Sequence, residues 1–354
     1  MTAPLRRWLA RRLLPVCTLL AACACASAAA DGAWHLRVVG GTGRYAQHEA
    51  RFWTEDLPRL SQGRFRASLM PFDRAGVPGQ KMLDLISVGV VPLGTVTLAH
   101  VAGEWPELAI PDMAGLSGDL ASLRRMVQAF RPATERLLRE RFNARLLAVY
   151  VYPAQVFFCR QPMQALAGIK GRRVRVSGYS QADFVRALGA EPVFTEFNAM
   201  MGMMESDGID CAITGAMAGN SVGLHRVTGT LFTQPVNWGL TLFAVNEDAW
   251  AAFPPELQAL LLEHMPRLEA RNWAESDSDA LAGVACNIGA STCEPARRGR
   301  MQAQAPGVAD ERLRRDILAN AVLPGWMRRC GSACAELWNQ TLAPLVGLRA
   351  GGRP

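Results

Sequence analysis

Apolar and polar positions alternate from His35 to Gly41, which predicts a strand that stops at a glycine pair. Residues 42–63 then place Phe52, Trp53, Leu57 and Leu60 at helical spacing and end at Gly63. RFRASLMPF (64–72) reads as a second strand, GQKMLDLISVGV (79–90) as a helix and VPLGTVTL (91–98) as a third strand. That β-α-β-α-β order argues for an α/β layer with a largely parallel sheet. A helix follows over 122–142, with a break allowed at Pro132.

The rhythm returns after a mostly extended run at 144–163. KGRRVRVSGYS (170–180) is a strand entering a turn, 180–190 a helix closed by Gly189, 191–194 a short strand, 198–208 a helix and 209–215 another strand. WGLTLFAVNEDAW (238–250) predicts a long strand crossing between the two units. Residues 254–286 predict one long helix opening with proline, and 309–322 and 335–346 predict helices in the tail. Two such units bury a cleft between them, and parallel sheets hold ligands at the C-terminal ends of their strands. Arg175 alternates with Val174 and Val176 just before Ser177 and Gly178, which sets its guanidinium at such an end.

Composition changes this picture mainly at the N-terminus. Four arginines (Arg6, Arg7, Arg11, Arg12), an apolar run and an Ala-rich end make residues 1–30 an export signal. Cleavage at Ala26–Ala30 and lipidation at Cys23, after Leu20-Ala21-Ala22, are both open. Without those arginines the formal charge drops from +7 to about +3, too little and too dispersed for a nucleic-acid surface. Nine cysteines suit an oxidising compartment; three belong to the leader. Of the other six, Cys286 with Cys293 and Cys330 with Cys334 are close enough to close small loops, and Cys159 and Cys211 suit free core thiols.

Enzyme signatures are weak. GGTGRY (40–45) lacks the third glycine of a dinucleotide loop, the five histidines are scattered without HExxH, and no GxSxG elbow occurs. The methionines at 200, 201, 203 and 204 read as core filling. No metal or cofactor is expected.

ALAGIKGRRVRVSG (165–178), RALGAEPV (186–193), SDGIDCA (206–212) and VNEDAWAAFPPELQALL (245–261) together resemble the periplasmic solute-binding proteins of TRAP transporters, the DctP type. Weaker echoes are LPRLSQGRFRASLMP (57–71) and GEWPEL (103–108). The resemblance implies a two-lobe periplasmic binding-protein fold, each lobe a mostly parallel sheet flanked by helices. The implied organisation is signal peptide 1–30, lobe I 31–150, lobe II 151–237, and 238–354 as crossing strand, spanning helix and C-terminal helices on both lobes. It further implies a periplasmic, non-enzymatic receptor that closes on an organic acid and delivers it to membrane permease subunits. An exported α/β enzyme acting on a carboxylate and a receptor feeding a membrane sensor are the alternatives.

By the same resemblance Arg175 grips the ligand carboxylate and Gln155 supplies a second polar contact. Ala154 stands where many members carry another arginine. The strand end Ile213-Thr214-Gly215 lacks the acid that supports a metal in one member, leaving the Thr214 hydroxyl as a donor. Asn237 and Trp238 precede the crossing strand, where an aromatic could cover the ligand or pack the hinge. In the first lobe Arg44 and Tyr45, after the glycine-rich strand end, and Thr97, at a strand end, are at cleft-facing heights.

Overall fold

The computed structural model describes residues 33–41 and 44–351. The expected leader and its three cysteines lie outside the described residues. In chain order the strands are β1 (Trp34–Gly40), β2 (Phe65–Pro71), β3 (Leu93–Thr97), β4 (Ala144–Val151), β5 (Gln155–Cys159), β6 (Arg173–Val176), β7 (Glu191–Phe194), β8 (Cys211–Gly215), β9 (Thr230–Asn237), β10 (Leu240–Asn246) and β11 (Gln302–Gln304). One sheet has the order β2-β1-β3-β10-β4 and the other β11-β9-β5-β8-β6-β7. Helices flank both, giving two mixed α/β layers.

One strand in each sheet runs against the rest. β10 is antiparallel to β3 and β4, and β5 is antiparallel to β8 and β9. Both are the strands by which the chain enters a sheet from the other one. After β4 only residues 152–154 intervene before β5, and after β9 only Trp238 and Gly239 before β10. A chain that leaves one sheet at its C-terminal edge and enters the next within three residues must enter it backwards. The C-terminal edges of the two sheets therefore face each other, and the cleft lies between them.

The second crossing corrects the strand expected over 238–250. That reading merged two elements: the chain changes sheets at Trp238–Gly239, β10 belongs wholly to the first sheet, and Glu247–Ala252 is a helix capped by Asn246. Within the run TLFTQPVNWGLTLFAVN, Gly239, at φ +81°, marks the corner. Asp112 fixes this corner. Its buried carboxylate accepts the backbone N–H groups of Trp238, Gly239 and Leu240 at 3.0–3.1 Å.

The long helix Pro255–Asn287 ties the halves together. Leu257, Leu261, Met265 and Leu268 pack on the first sheet's core, and Trp273 donates its indole N–H to the Val149 carbonyl. Further along, Gly283 lies so close to Met217 that any Cβ would clash, and Asn287 donates to the Ala216 carbonyl. Helix Leu120–Phe142 runs through Pro132 without interruption.

Cys159 and Cys211, expected as free thiols, are joined by a disulfide, as are Cys286 with Cys293 and Cys330 with Cys334. The antiparallel register of β5 on β8 sets Cys159 directly opposite Cys211, and that pairing depends on a fold spanning 52 residues of separation. Thiol titration of the unfolded chain 31–354 should find no free cysteine. Replacing Cys159 and Cys211 together by alanine should cost on the order of 4 kcal/mol of unfolding free energy in denaturant titrations, the chain-entropy value for a loop of that size. An unchanged midpoint would show that the bridge does not constrain the unfolded chain.

Candidate functional site

Val174 and Val176 are fully buried in the apolar cluster on one face of the second sheet, so the residue between them must face the other way. That residue, Arg175, is only 5% exposed. Its Nε donates to the Thr195 carbonyl and its Nη1 to the Ile213 carbonyl, each at 2.8 Å. Among the described residues no carboxylate pairs with it and no partner meets Nη2. Burial lowers its pKa to about 10, partly offset by the nearby Glu196 carboxylate, so it remains a cation at neutral pH. Arg173, two residues earlier, differs: it is half-exposed and neutralised by a bidentate pair with Asp210 at 2.7 and 3.1 Å.

Thr214 lies on the same face as Arg175, since its neighbour Ile213 points with Val174 and Val176 into the opposite cluster. It is buried, and no hydrogen bond engages its hydroxyl among the described residues. Gln155 points to the other face. Its amide donates to the Pro153 carbonyl at 2.8 Å and approaches the Trp238 carbonyl at 3.5 Å, bridging the two crossings. Asn237 accepts from Gln181 at 2.8 Å, hydrogen-bonds Asp112 and lines a cavity of about 30 Å³ with Ser177 and Gly178. Trp238 packs in the first sheet's core and donates to the Ser117 carbonyl, so its ring is committed to the hinge. The Arg44 and Tyr45 side chains lie outside what is described.

Thr97, at the end of β3, joins a polar group the sequence did not single out. The Tyr152 hydroxyl, in the first crossing, hydrogen-bonds Thr97 and Thr241, and its pKa is pushed to about 12, chiefly by burial. Beside them Glu49 reaches back over the end of β1. One oxygen is 3.5 Å from the Thr95 hydroxyl, and the Gly41 backbone N–H also hydrogen-bonds the carboxylate. A buried acid on an amphipathic helix carries no periodic signature, and Tyr152 sits in an apolar run, so neither stood out.

The halves touch next to Arg175. Gln80 donates to Glu196 at 3.4 Å, Ala99 lies against Gly178, and Tyr179 lies against Gly103. The site is thus a junction of two strand-end edges with an unpaired buried cation on one side and hydroxyls on the other.

The family model for bacterial extracellular solute-binding protein, family 7 (DctP), matches residues 40–286. The chain belongs to this DctP family. Similar solved structures include DctP7, a Bordetella pertussis extracytoplasmic solute receptor binding pyroglutamic acid, at 17% identity and TM-score 0.75, over 87% of this chain and 99% of that one. A TRAP periplasmic solute-binding protein from Desulfovibrio salexigens with bound orotic acid has 15% identity and TM-score 0.74, over 86% and 96%. One from Desulfovibrio desulfuricans with bound sn-glycerol-3-phosphate has 13% identity and TM-score 0.73, over 86% and 96%. At such identities the likeness establishes the two-lobe TRAP receptor fold. A search of curated proteins finds no match. DctP proteins are extracytoplasmic solute receptors rather than enzymes, and no described helix is long and apolar enough to cross a membrane.

Glu49 yields a pH prediction. Burial raises its pKa from 4.5 to about 8, so the folded chain holds a proton that the unfolded chain releases. The resulting stability is complete below the unfolded value and is lost as pH rises through about 8. Glu49→Gln cannot ionise and should gain on the parent across that interval, by a few kcal/mol at most. Denaturant unfolding near each limit checks this; a stability difference independent of pH would contradict it.

Proposed function

We propose that this DctP protein captures a small organic acid between its two lobes, with Arg175 holding the carboxylate, and presents it to the membrane permease of a TRAP transporter. The observation that carries the reading is the buried guanidinium without an anionic partner. Withdrawing a lone cation from water costs several kcal/mol, and two backbone carbonyls offset only part of that. A carboxylate reaching Nη2 would supply the missing charge and a matching pair of acceptors, in a site that closure removes from competing water.

Thr214 is placed to donate to the same ligand, and Thr97 with Tyr152 to line the opposite wall. Gln155, Asn237 and Trp238 then act at the crossings, shaping the hinge rather than the ligand pocket. Binding energy would favour the closed arrangement of lobes 31–150 and 151–237 over an open one. Pyroglutamate and orotate, each an acid bound by a structural neighbour, set the size of solute to test first. Export with removal of residues 1–30 belongs to the same proposal.

Calorimetric titration of the chain 31–354 with monocarboxylates, dicarboxylates, keto acids, sugar acids and a phosphomonoester should find a tight ligand among the carboxylates. Arg175→Ala should weaken that ligand roughly a hundredfold, on the order of 3 kcal/mol. Unchanged affinity in the variant, or preference for the phosphomonoester, would overturn the carboxylate assignment.

A further inference from the structure

In the other lobe, near enough for the Arg175 charge to act on it, is His100, on the short helix Leu98–Val101 that β3 leads into. The ring is packed edge-on against Phe72 and largely withdrawn from solvent. Its Nδ1 is buried against the backbone of Gly79, where a Cβ would stand 2.2 Å away, and has no hydrogen-bond partner. Nε2 is therefore the nitrogen left to meet another molecule. Its surroundings converge on Arg175. Gln80, next to Gly79, donates to Glu196, and the preceding residue Thr195 accepts from Arg175 Nε. Ala99, beside the histidine, touches Gly178 just beyond β6.

The charged groups around the ring are few. Glu196 and Arg175 face it from the second lobe, with opposite effects on its charge. On its own lobe Lys81 is paired with Asp84 and Glu104, both exposed. Burial and the Arg175 cation together outweigh Glu196, so the imidazole is held below its ordinary pKa and is neutral when nothing lies between the two side chains.

We propose that His100 is the lobe I half of the carboxylate site: its Nε2–H and the Arg175 guanidinium bracket one ligand carboxylate from opposite lobes. This deepens the function proposed above and rests on the Arg175 assignment. It gives an anion a way to favour closure: a carboxylate between the two side chains adds one contact to each lobe. It also ties binding to protons. A carboxylate between the pair cancels the effect of Arg175 and raises the imidazole pKa, so affinity is greatest below the pKa of the free form. Affinity then falls as pH rises through the raised pKa of the complex.

NMR titration of His100, read alongside the Arg175 ¹⁵Nε resonance, tests this on the chain 31–354 with acetate, succinate, L-pyroglutamate, orotate, 2-oxoglutarate and D-galacturonate as probes. An acid that shifts Arg175 should also raise the His100 pKa, by about one unit, with affinity changing about tenfold between the two ends of the titration. In His100→Gln that pH dependence should vanish while Arg175 still responds. Without ligand, Arg175→Gln should by itself raise the His100 pKa, a readout that does not depend on ligand choice. An acid that shifts Arg175 but leaves His100 unmoved overturns the bracket and spares the Arg175 assignment. Acids that bind without touching Arg175, or no binding by any probe, overturn both.

Discussion

A guanidinium buried at a sheet edge, hydrogen-bonded among the described residues only to carbonyl oxygens, is the constraint around which this molecule is arranged. Such a cation destabilises the protein unless an anion or strong dipoles compensate. Here the compensation is incomplete, because Thr195 and Ile213 satisfy two nitrogens and no carboxylate neutralises the charge. Arg173 provides the internal comparison. Two residues away on the same strand, it is neutralised by Asp210 at the solvent side and needs nothing further. The difference between them is location along the strand rather than residue type: one lies at the outer end of β6, the other toward the junction between sheets.

That junction follows from chain direction. Parallel strands align their C-terminal ends, and the two short crossings force those edges to face one another. β5 and β10 run backwards as a consequence. Asp112 then pins the second crossing through three backbone N–H groups, and its own pKa is raised by burial, which outweighs those hydrogen bonds. The helix Pro255–Asn287 spans both sheets, packing apolar side chains at one end and fitting Gly283 against Met217 at the other. Beside Arg175 the two edges meet through the Gln80–Glu196 and Ala99–Gly178 contacts.

Much of this was legible in the sequence because it is local. Alternation located β1, β2 and β3 within a residue or two and β6 inside the run 170–180, and Gly63 and Gly189 marked ends that do adopt positive φ. The ligand role proposed for Arg175 came from the order of several weak motifs, since an arginine in a strand is by itself an ordinary surface residue; its burial is what the sequence could not show. What escaped the sequence depends on register or on chain crossing. The strand expected over 238–250 overran β10 into the helix Glu247–Ala252, whose start is marked only by its cap Asn246. Cys159 and Cys211 meet only because β5 pairs with β8 in one particular register. Trp238 offered two readings, and its indole, packed in the first sheet's core, donates to the Ser117 carbonyl. His100, Glu49 and Tyr152 acquire meaning only when two distant segments are brought together, which no spacing along the chain announces.

The most direct measurement is a crystal structure of the protein as isolated from its native host, with whatever solute it carries. The account predicts a carboxylate within hydrogen-bond distance of Arg175 Nη2, enclosed between the two sheet edges. A solute bound elsewhere, with Arg175 still contacting only Thr195 and Ile213, would contradict it.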